Sequence, residues 1–221
     1  MSPEDITICP GFDESERDVI ARIYWEAFGH KLGAVYGPEN RAHAFLLRSL
    51  RSDHCLTARG KHGEVLGVAG FKSPKGAFVD GCPKTMRRVY GRLGALWRKS
   101  ALHLLSHEVD NRRFLIDGIA VQNDAQGKGV GSRLIAALCA RARADGYGAI
   151  RLEVIDSNRR ARKLYERMGF VATGTERLGP LRWLFGFSEA TTMIRSLEPP
   201  VQQHHPANDI SQIYRLPARQ A

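Results

Sequence analysis

Apolar residues in the first half of the chain recur first at helical spacing and then at strand spacing. From Asp13 to Phe28 they follow an acidic start at helical intervals, and a second helix is predicted from about Pro38 to Leu50. The segments 55–58 and 65–71 are typical of strands, and the turn-rich residues 59–63 between them predict a hairpin. The chain is therefore predicted to open in the order helix, helix, hairpin.

Residues 73–111 form a long connection before the next clear strand. Leucines and a tryptophan are mixed with arginines here, which predicts one or two amphipathic helices. We expect the apolar side chains of these helices to pack over the core rather than to bind a membrane. They are Leu93, Leu96, Trp97, Leu102 and Leu105.

The second half alternates strands with helices. The predicted strands are 114–121, 149–155, 170–173 and about 182–194, and the predicted helices are 132–145 and 158–168. After Pro199 and Pro200 the sequence turns polar and irregular, so residues 199–221 are predicted to form a mobile tail. This order predicts one α/β domain over residues 1–198, with the 73–111 connection as a helical, basic insertion.

The composition is ordinary for a soluble globular protein, with 43% apolar and 25% charged residues. No apolar run approaches the roughly 18 residues that a membrane span needs. Six acidic residues among the first twenty argue against a signal peptide. The four cysteines lie far apart without a CxxC pair, which indicates reduced structural thiols. We therefore expect a cytoplasmic protein.

Basic residues outnumber acidic ones and give a net charge of +10. They concentrate between Lys84 and Arg113 and again between Arg159 and Arg167. Such clusters can be solvated helix faces, or they can attract nucleic acid, an anionic membrane surface or an anionic cofactor. The chain lacks helix-turn-helix, zinc-finger and RNP-type patterns, so a nucleic-acid partner is not expected.

A glycine-rich segment lies between the strand 114–121 and the helix 132–145. It runs Gln126-Gly127-Lys128-Gly129-Val130-Gly131. Alternating glycines let a ligand approach the backbone, and the N–H groups that begin the following helix attract an anion. Ser132 adds a hydroxyl donor and Lys128 adds positive charge. The segment is therefore a candidate pyrophosphate site.

Spacing separates this segment from two common nucleotide sites. A Walker P-loop requires GxxxxGK followed by Ser or Thr, but Lys128 is followed by Gly129 and the position five before Gly127 is Gln122. A Rossmann fingerprint requires GxGxxG directly after its strand. Here the third glycine comes too early and the segment begins five residues beyond the strand, so both sites are disfavoured.

The run Gln126-x-x-Gly129-x-Gly131 resembles the Q/R-x-x-G-x-G/A signature of the GNAT N-acetyltransferase superfamily. Residues 151–158 and 160–170 resemble the strand and helix that follow it in that family. The N-x-x-A-x-x-x-Y-x-x-x-G-F spacing is matched by Asn158, Ala161, Tyr165, Gly169 and Phe170. Both motifs in order, over about 112–172, make the resemblance specific, and the family topology fits from about 5 to 197.

The resemblance implies a mixed central sheet, flanked by helices, that splays between the strands near 114–121 and 149–155. It implies acetyl-CoA as acyl donor, with the pantetheine arm along the first of these strands and the pyrophosphate on the glycine-rich segment. The residues implied in cofactor binding are Ile119, Ala120, Val121, Gln126, Gly127, Lys128, Gly129, Val130, Gly131, Ser132, Asn158 and Arg162. Asn158 can equally act as a helix N-cap. No metal is expected.

By the same resemblance, an amine attacks the thioester directly through a tetrahedral intermediate, and Tyr165 protonates the departing sulfur as a general acid. Its alternative role is an aromatic side chain packed on the sheet. Asp117 and Glu153 are candidate bases, acting directly or through water. Either can instead form a structural hydrogen bond or anchor the substrate amine. The 73–111 connection is a candidate wall of the acceptor site.

The acceptor stays open among small amines, aminoglycosides, amino acids, polyamines and protein N-termini or lysines. A noncatalytic coenzyme A-binding sensor on the same fold is the alternative to an enzyme. The expected partners are acetyl-CoA and the amine, and homodimerisation is left open. His103 and His107 have the i, i+4 spacing of metal ligands but lack the HExxH pattern and a third ligand, so packed or solvated histidines are expected.

Overall fold

The computed structural model describes residues 5–105, 113–179 and 182–197. Within these ranges the chain forms eight strands and six α-helices, joined by turns and short 3₁₀ segments. In chain order the elements are β1 (Thr7–Pro10), α1 (Arg17–Tyr36), α2 (Glu39–Ser49), β2 (Cys55–Arg59), β3 (Val65–Ser73), β4 (Gly76–Ala77), α3 (Pro83–Leu105), β5 (Arg113–Val121), α4 (Val130–Ala144), β6 (Ala149–Ile155), α5 (Arg159–Arg167), β7 (Val171–Arg177), α6 (Arg182–Phe185) and β8 (Glu189–Ser196).

The strands form one open mixed sheet in the order β1-β2-β3-β5-β6-β8-β7, with β4 paired to β3. Only β5 and β6 run parallel among the described strand pairs, and they lie at the centre. Their pairing extends only from Arg113↔Ala149 to Leu115↔Arg151, although β5 is nine residues long. Beyond these pairs the strands separate and the sheet opens into a groove. The predicted α/β fold class, with its splay between these two strands, is confirmed.

Helices cover both faces of the sheet. On one face, Leu134 and Leu138 of α4 pack against strand residues such as Phe114 and Leu152 in the larger core. On the other face, α1 packs Ile20 and other apolar residues against β3 and β5, and α2 and α3 pack beside α1. The groove between β5 and β6 is therefore bordered by α4 on one face and by α1 on the other.

Helix α3 contains a break at Gly91, where a φ of 73° leaves the helical region. Tyr90 donates its hydroxyl to the Tyr36 carbonyl at 2.5 Å. Arg98 donates to the carbonyls of Val35 (2.6 Å) and Gly37 (3.2 Å). These bonds satisfy carbonyls that the end of α1 leaves without helical partners, so they attach α3 to the C-terminal end of α1.

The apolar side chains of α3 do not pack as the sequence predicts. Leu93, Leu96 and Trp97 are 84%, 65% and 43% exposed, so the expectation that they pack over the core is wrong. The core-facing positions are taken instead by residues such as Ala95 and Arg98, whose guanidinium lies over the Tyr90 ring at 3.9 Å. Leu102 and Leu105 lie outside the described side chains.

Other predictions also differ from the structure. The first helix is predicted from Asp13 to Phe28, whereas α1 begins at Arg17 and continues to Tyr36. The short edge strand β1 is missed, because four residues ending in proline show too little alternation and their partner β2 lies far along the chain. The predicted strand 182–194 is wrong over its first residues, since α6 occupies Arg182–Phe185 and β8 begins at Glu189. Phe185 is buried against Val35 of α1, so tertiary packing selects the helical turn.

All four cysteines are free thiols, and burial raises the pKa of Cys55 to about 12. Within the described ranges, no helix is both long enough and apolar enough to cross a membrane.

Candidate active site

The groove exposes one backbone edge of β5. On its other side, β5 pairs antiparallel with β3, with Ala69 opposite Ile119 and Val68 opposite Ala120. In such a ladder, alternate residues direct their N–H and C=O groups away from the partner strand. From Ile116 onward these groups face the separation from β6. An extended chain that carries amide groups can bond there as an added strand, which is the position implied for the pantetheine arm.

A β-bulge on β5 lies where the groove opens. Gly70 pairs with Gly118 and Phe71 pairs with Ile116, so Asp117 is the extra residue. Lys72 Nζ lies 3.0 Å from Asp117 Oδ1. A Cβ on Gly118 would approach the Phe28 ring to 2.8 Å, so glycine is needed for α1 to cross this closely. Asp117 lies on the α1 side of the sheet, where its charge acts on Tyr24 and Tyr36 of α1, and Lys72 is the cation beside it.

The glycine-rich segment forms a turn directly before α4. Gly127 and Gly129 have φ values of 81° and 86°, in the left-handed region that glycine adopts without strain. The first helical bond of α4 runs from Arg133 N to Gly129 O, so the N–H groups of the preceding residues, including Gly131 and Ser132, remain outside the ladder. Together with the helix dipole they provide a site for an anion, beside the exposed Lys128.

Gln126 links this turn to two other elements. Its Nε2 donates to the Val121 carbonyl at 3.3 Å, and its Oε1 accepts from Arg160 at 3.0 Å. A Cβ on Gly127 would lie 3.4 Å from the Arg160 guanidinium. Arg160 is not among the residues that the sequence predicts for the cofactor site. Only the basic cluster 159–167 points to it, and the cluster alone does not show which of its side chains faces the turn.

Helix α5 carries three residues predicted at the site. Asn158 accepts from Ala161 N at 3.1 Å and is therefore the N-cap of this helix. Arg162 donates to Glu166 at 3.0 Å in an exposed i, i+4 pair. Tyr165 packs its ring against the α4-side core and 5.9 Å from the Phe170 ring.

Burial raises the pKa of Tyr165 to about 12. Its hydroxyl is therefore protonated throughout the neutral range and can donate a hydrogen bond. The helix itself is held against α4 at a close contact, because a Cβ on Gly131 would meet Leu164 at 3.2 Å. A side chain at position 131 would therefore press on the Leu164 side chain, which would have to shift by a few tenths of an ångström.

Glu153 is on β6, across the groove from Asp117. Its neighbours Leu152 and Val154 face the α4-side core, so Glu153 faces the α1 side, as Asp117 does. Arg151 donates to Glu153 at 2.8 Å. The structure therefore brings both candidate bases to one face of the sheet, each in an ion pair with a neighbouring cation.

Within the described residues, no group of three or more histidine, cysteine or acidic side chains is arranged to hold a metal ion. His107, one half of the suggested histidine pair, lies outside the described residues, as does the side chain of His103. A surface hollow of about 270 Å³ lies at the β1–β2 edge, lined by residues such as Phe12, Asp53 and Arg141, and it is separate from the groove.

Comparison with known proteins identifies the family. A model of the acetyltransferase (GNAT) family matches residues 17–170. Among solved structures, a histone acetyltransferase HPA2 and related acetyltransferase from Corynebacterium glutamicum is 21% identical, with a TM-score of 0.61 over 89% of this chain and 99% of that chain. A GCN5-related N-acetyltransferase from Kribbella flavida is 19% identical, with a TM-score of 0.60 over 88% and 99%. An N-acetyltransferase from Staphylococcus aureus Mu50 is 20% identical, with a TM-score of 0.57 over 87% and 99%.

These identities show a shared fold, and no curated protein matches the chain. The family model nevertheless spans well over half of the sequence, including β5, the glycine-rich turn and α5. Members of this family use acetyl-CoA. The chain therefore belongs to the acetyltransferase (GNAT) family and is an acyltransferase.

Proposed function

We propose that this protein is an N-acetyltransferase that moves an acetyl group from acetyl-CoA to a primary amine by direct attack. The observation that carries the proposal is the free edge of β5, which ends at a left-handed glycine turn and the start of α4. This combination offers strand-type bonds to an amide chain and N–H groups to a pyrophosphate in one continuous path.

The cofactor would lie along this path. Backbone groups of Ile119, Ala120 and Val121 would bond the pantetheine arm, and Gln126–Ser132 would hold the pyrophosphate. Arg160 adds a cation that already contacts the turn through Gln126. Asn158 would act indirectly, since its side chain caps α5 and so helps to hold Arg160 and Tyr165 in place.

In the proposed reaction, the amine nitrogen attacks the thioester carbonyl carbon, and the carbon–sulfur bond of the tetrahedral intermediate then breaks. The leaving thiolate belongs to an alkyl thiol with a pKa of about 8.5. A phenol whose pKa is about 12 is a weaker acid than that thiol, so full proton transfer from Tyr165 would be uphill. We propose that Tyr165 stabilises the departing sulfur by donating a hydrogen bond, after which the sulfur takes a proton from solvent.

The proton released by the amine must go to a base. Asp117 and Glu153 remain the candidates, and both lie on the α1-side face of the sheet beside the groove. Each is paired, with Lys72 and Arg151 respectively, so part of its accepting capacity is already used. Transfer through a bridging water to either carboxylate fits this arrangement better than direct contact.

The test is a thiol-release assay with acetyl-CoA against a panel of amines and peptides, combined with a direct measurement of coenzyme A binding. Amine-dependent release together with N-acetylated product is the expected result. If coenzyme A binds but no amine stimulates release, the enzymatic proposal fails, and a noncatalytic coenzyme A-binding sensor becomes the better description.

A further inference from the structure

Four charged side chains share the α1-side face of the sheet where β5 and β6 diverge. Lys72 of β3 and Arg151 of β6 both pair with Leu115 of β5, which lies between them. Asp117 and Glu153 lie two residues further along their strands, at the opening of the groove. The α1-side face of the sheet therefore carries a row of two cations followed by a row of two carboxylates at the groove.

These charges are largely removed from water. The side chains of Lys72 and Asp117 are 31% and 12% exposed, and those of Arg151 and Glu153 are 14% and 26% exposed. Removing charges from water costs free energy that ion pairing only partly offsets, and apolar residues of similar size often stabilise a fold equally well. Two such pairs side by side are therefore better explained by ligand binding than by stability.

One atom in this group has an unmet hydrogen bond. Arg151 Nε is buried and has no hydrogen-bond acceptor among the described residues, although another nitrogen of the same guanidinium bonds Glu153. Buried polar groups are nearly always satisfied, so the Arg151 guanidinium has donor capacity left, and part of its side chain is still exposed to a ligand. A carboxylate is the partner that a guanidinium binds most strongly.

We propose that the acceptor is a zwitterionic amino acid, a deepening that rests on the proposed N-acetyltransferase function. Its carboxylate would bind Arg151, with Lys72 nearby, and its amino group would lie between Asp117 and Glu153, facing the groove. The two ion pairs have no net charge, and a zwitterion leaves that balance unchanged. A polyamine or an aminoglycoside would bring several positive charges to Lys72 and Arg151, which disfavours those acceptor classes.

The experiment compares each of the common α-amino acids with its own carboxamide in the thiol-release assay, with rates expressed per unprotonated amine. The pair differs only in the charged group assigned to Arg151. We expect the better amino acids to exceed their carboxamides in kcat/KM by about tenfold or more, the usual worth of a charge-assisted bond. In Arg151→Gln this preference should fall to about twofold or less.

Arg195→Gln is the matched control. Arg195 of β8 pairs with Ile150 of β6, which faces the α4-side core, so Arg195 lies on that face of the same sheet. It should keep the preference for the carboxylate. Since the readout is a ratio within one protein preparation, partial unfolding of a variant does not change its meaning. Arg151→Met, which also removes the charge, replaces Arg151→Gln if the latter does not fold.

Carboxamides or simple amines that equal the amino acids would overturn this inference while leaving the N-acetyltransferase function intact. Preservation of the preference in Arg151→Gln would overturn the assignment of Arg151. Absence of release with every amine would remove the proposed function, and the inference with it.

Discussion

At the scale of single residues, the environment of Tyr165 defines what its hydroxyl can do. Substitution to phenylalanine removes a hydrogen-bond donor but keeps the ring that packs beside Phe170. We expect kcat to fall by about 10²-fold, as is usual when a hydrogen-bond donor to the charge that develops in the transition state is lost, with little change in coenzyme A affinity. Steady-state kinetics and calorimetric binding measure the two effects separately.

The pH dependence gives an independent check on this residue. Because the pKa of Tyr165 is about 12, its deprotonation should not reduce the wild-type rate anywhere below about pH 11. An alkaline loss of kcat near pH 10 that disappears in Tyr165→Phe would contradict the raised pKa of this side chain.

Arg160 and Arg162 form a natural matched pair, since they lie two residues apart on α5. Arg160 contacts the glycine turn through Gln126, whereas Arg162 is paired with Glu166. We expect Arg160→Gln to weaken acetyl-CoA binding about tenfold at low salt and Arg162→Gln to weaken it much less. Equal losses in titration calorimetry would mean that only the general positive charge of α5 matters.

At the scale of elements, Arg98 determines how α3 is attached to the rest of the molecule. Substitution by alanine leaves the carbonyls of Val35 and Gly37 without their donors and removes the contact with the Tyr90 ring. We expect the free energy of unfolding to fall by about 2–4 kcal/mol. Arg92→Ala, on an exposed position of the same helix, should change it by less than about 0.5 kcal/mol in urea titrations.

Arg98→Ala also tests the prediction that α3 forms a wall of the acceptor site. Loosening α3 should change the KM for the acceptor while leaving that for acetyl-CoA nearly unchanged, because the glycine turn and α5 make no use of Arg98. A variant with unchanged acceptor specificity would indicate that α3 serves another surface of the protein.

The sequence predicted those elements best in which local pattern and tertiary contact agree. The strand 149–155 matches β6 in full, and α4 and α5 lie within two residues of their predicted bounds, because glycines and a capping asparagine mark their ends. The exposure of Leu93 could not be predicted, since the helical period gives two similar faces to α3. Which face packs is decided by hydrogen bonds to α1 from residues such as Arg98.

In the candidate site, too, local features were predictable and long-range contacts were not. The glycine turn and Tyr165 follow from motif spacing, which is a property of residues close together in the sequence. The contact of Arg160 with Gln126 and the pairing of Lys72 with Asp117 join residues that are distant in sequence. Such contacts depend on how strands align, and a register shift at a bulge such as Asp117 is not visible in apolar alternation.

At the scale of the whole molecule, the net charge of +10 makes stability sensitive to acid. Lowering the pH protonates some of the 23 carboxyl groups and increases a positive charge that already repels itself. Carboxylates that join distant elements add to this effect. Glu16, beside the start of α1, accepts from both terminal nitrogens of Arg59 on β2, and both side chains are about one-fifth exposed.

Glu16 therefore provides the last test. The Arg59 guanidinium holds the pKa of Glu16 below its usual value, so the folded state binds this proton less readily than the unfolded chain does. Its contribution to stability is fully present above the unfolded pKa of about 4.3 and is lost as the pH falls through the lower folded value. Glu16→Gln should consequently lower the melting temperature at pH 7 and flatten its decline below about pH 5. Glu14→Gln removes a more exposed partner of Arg17 and should change the melting temperature much less at either pH. Identical acid profiles for the two variants would show that overall charge repulsion, rather than the Glu16–Arg59 pair, governs acid unfolding.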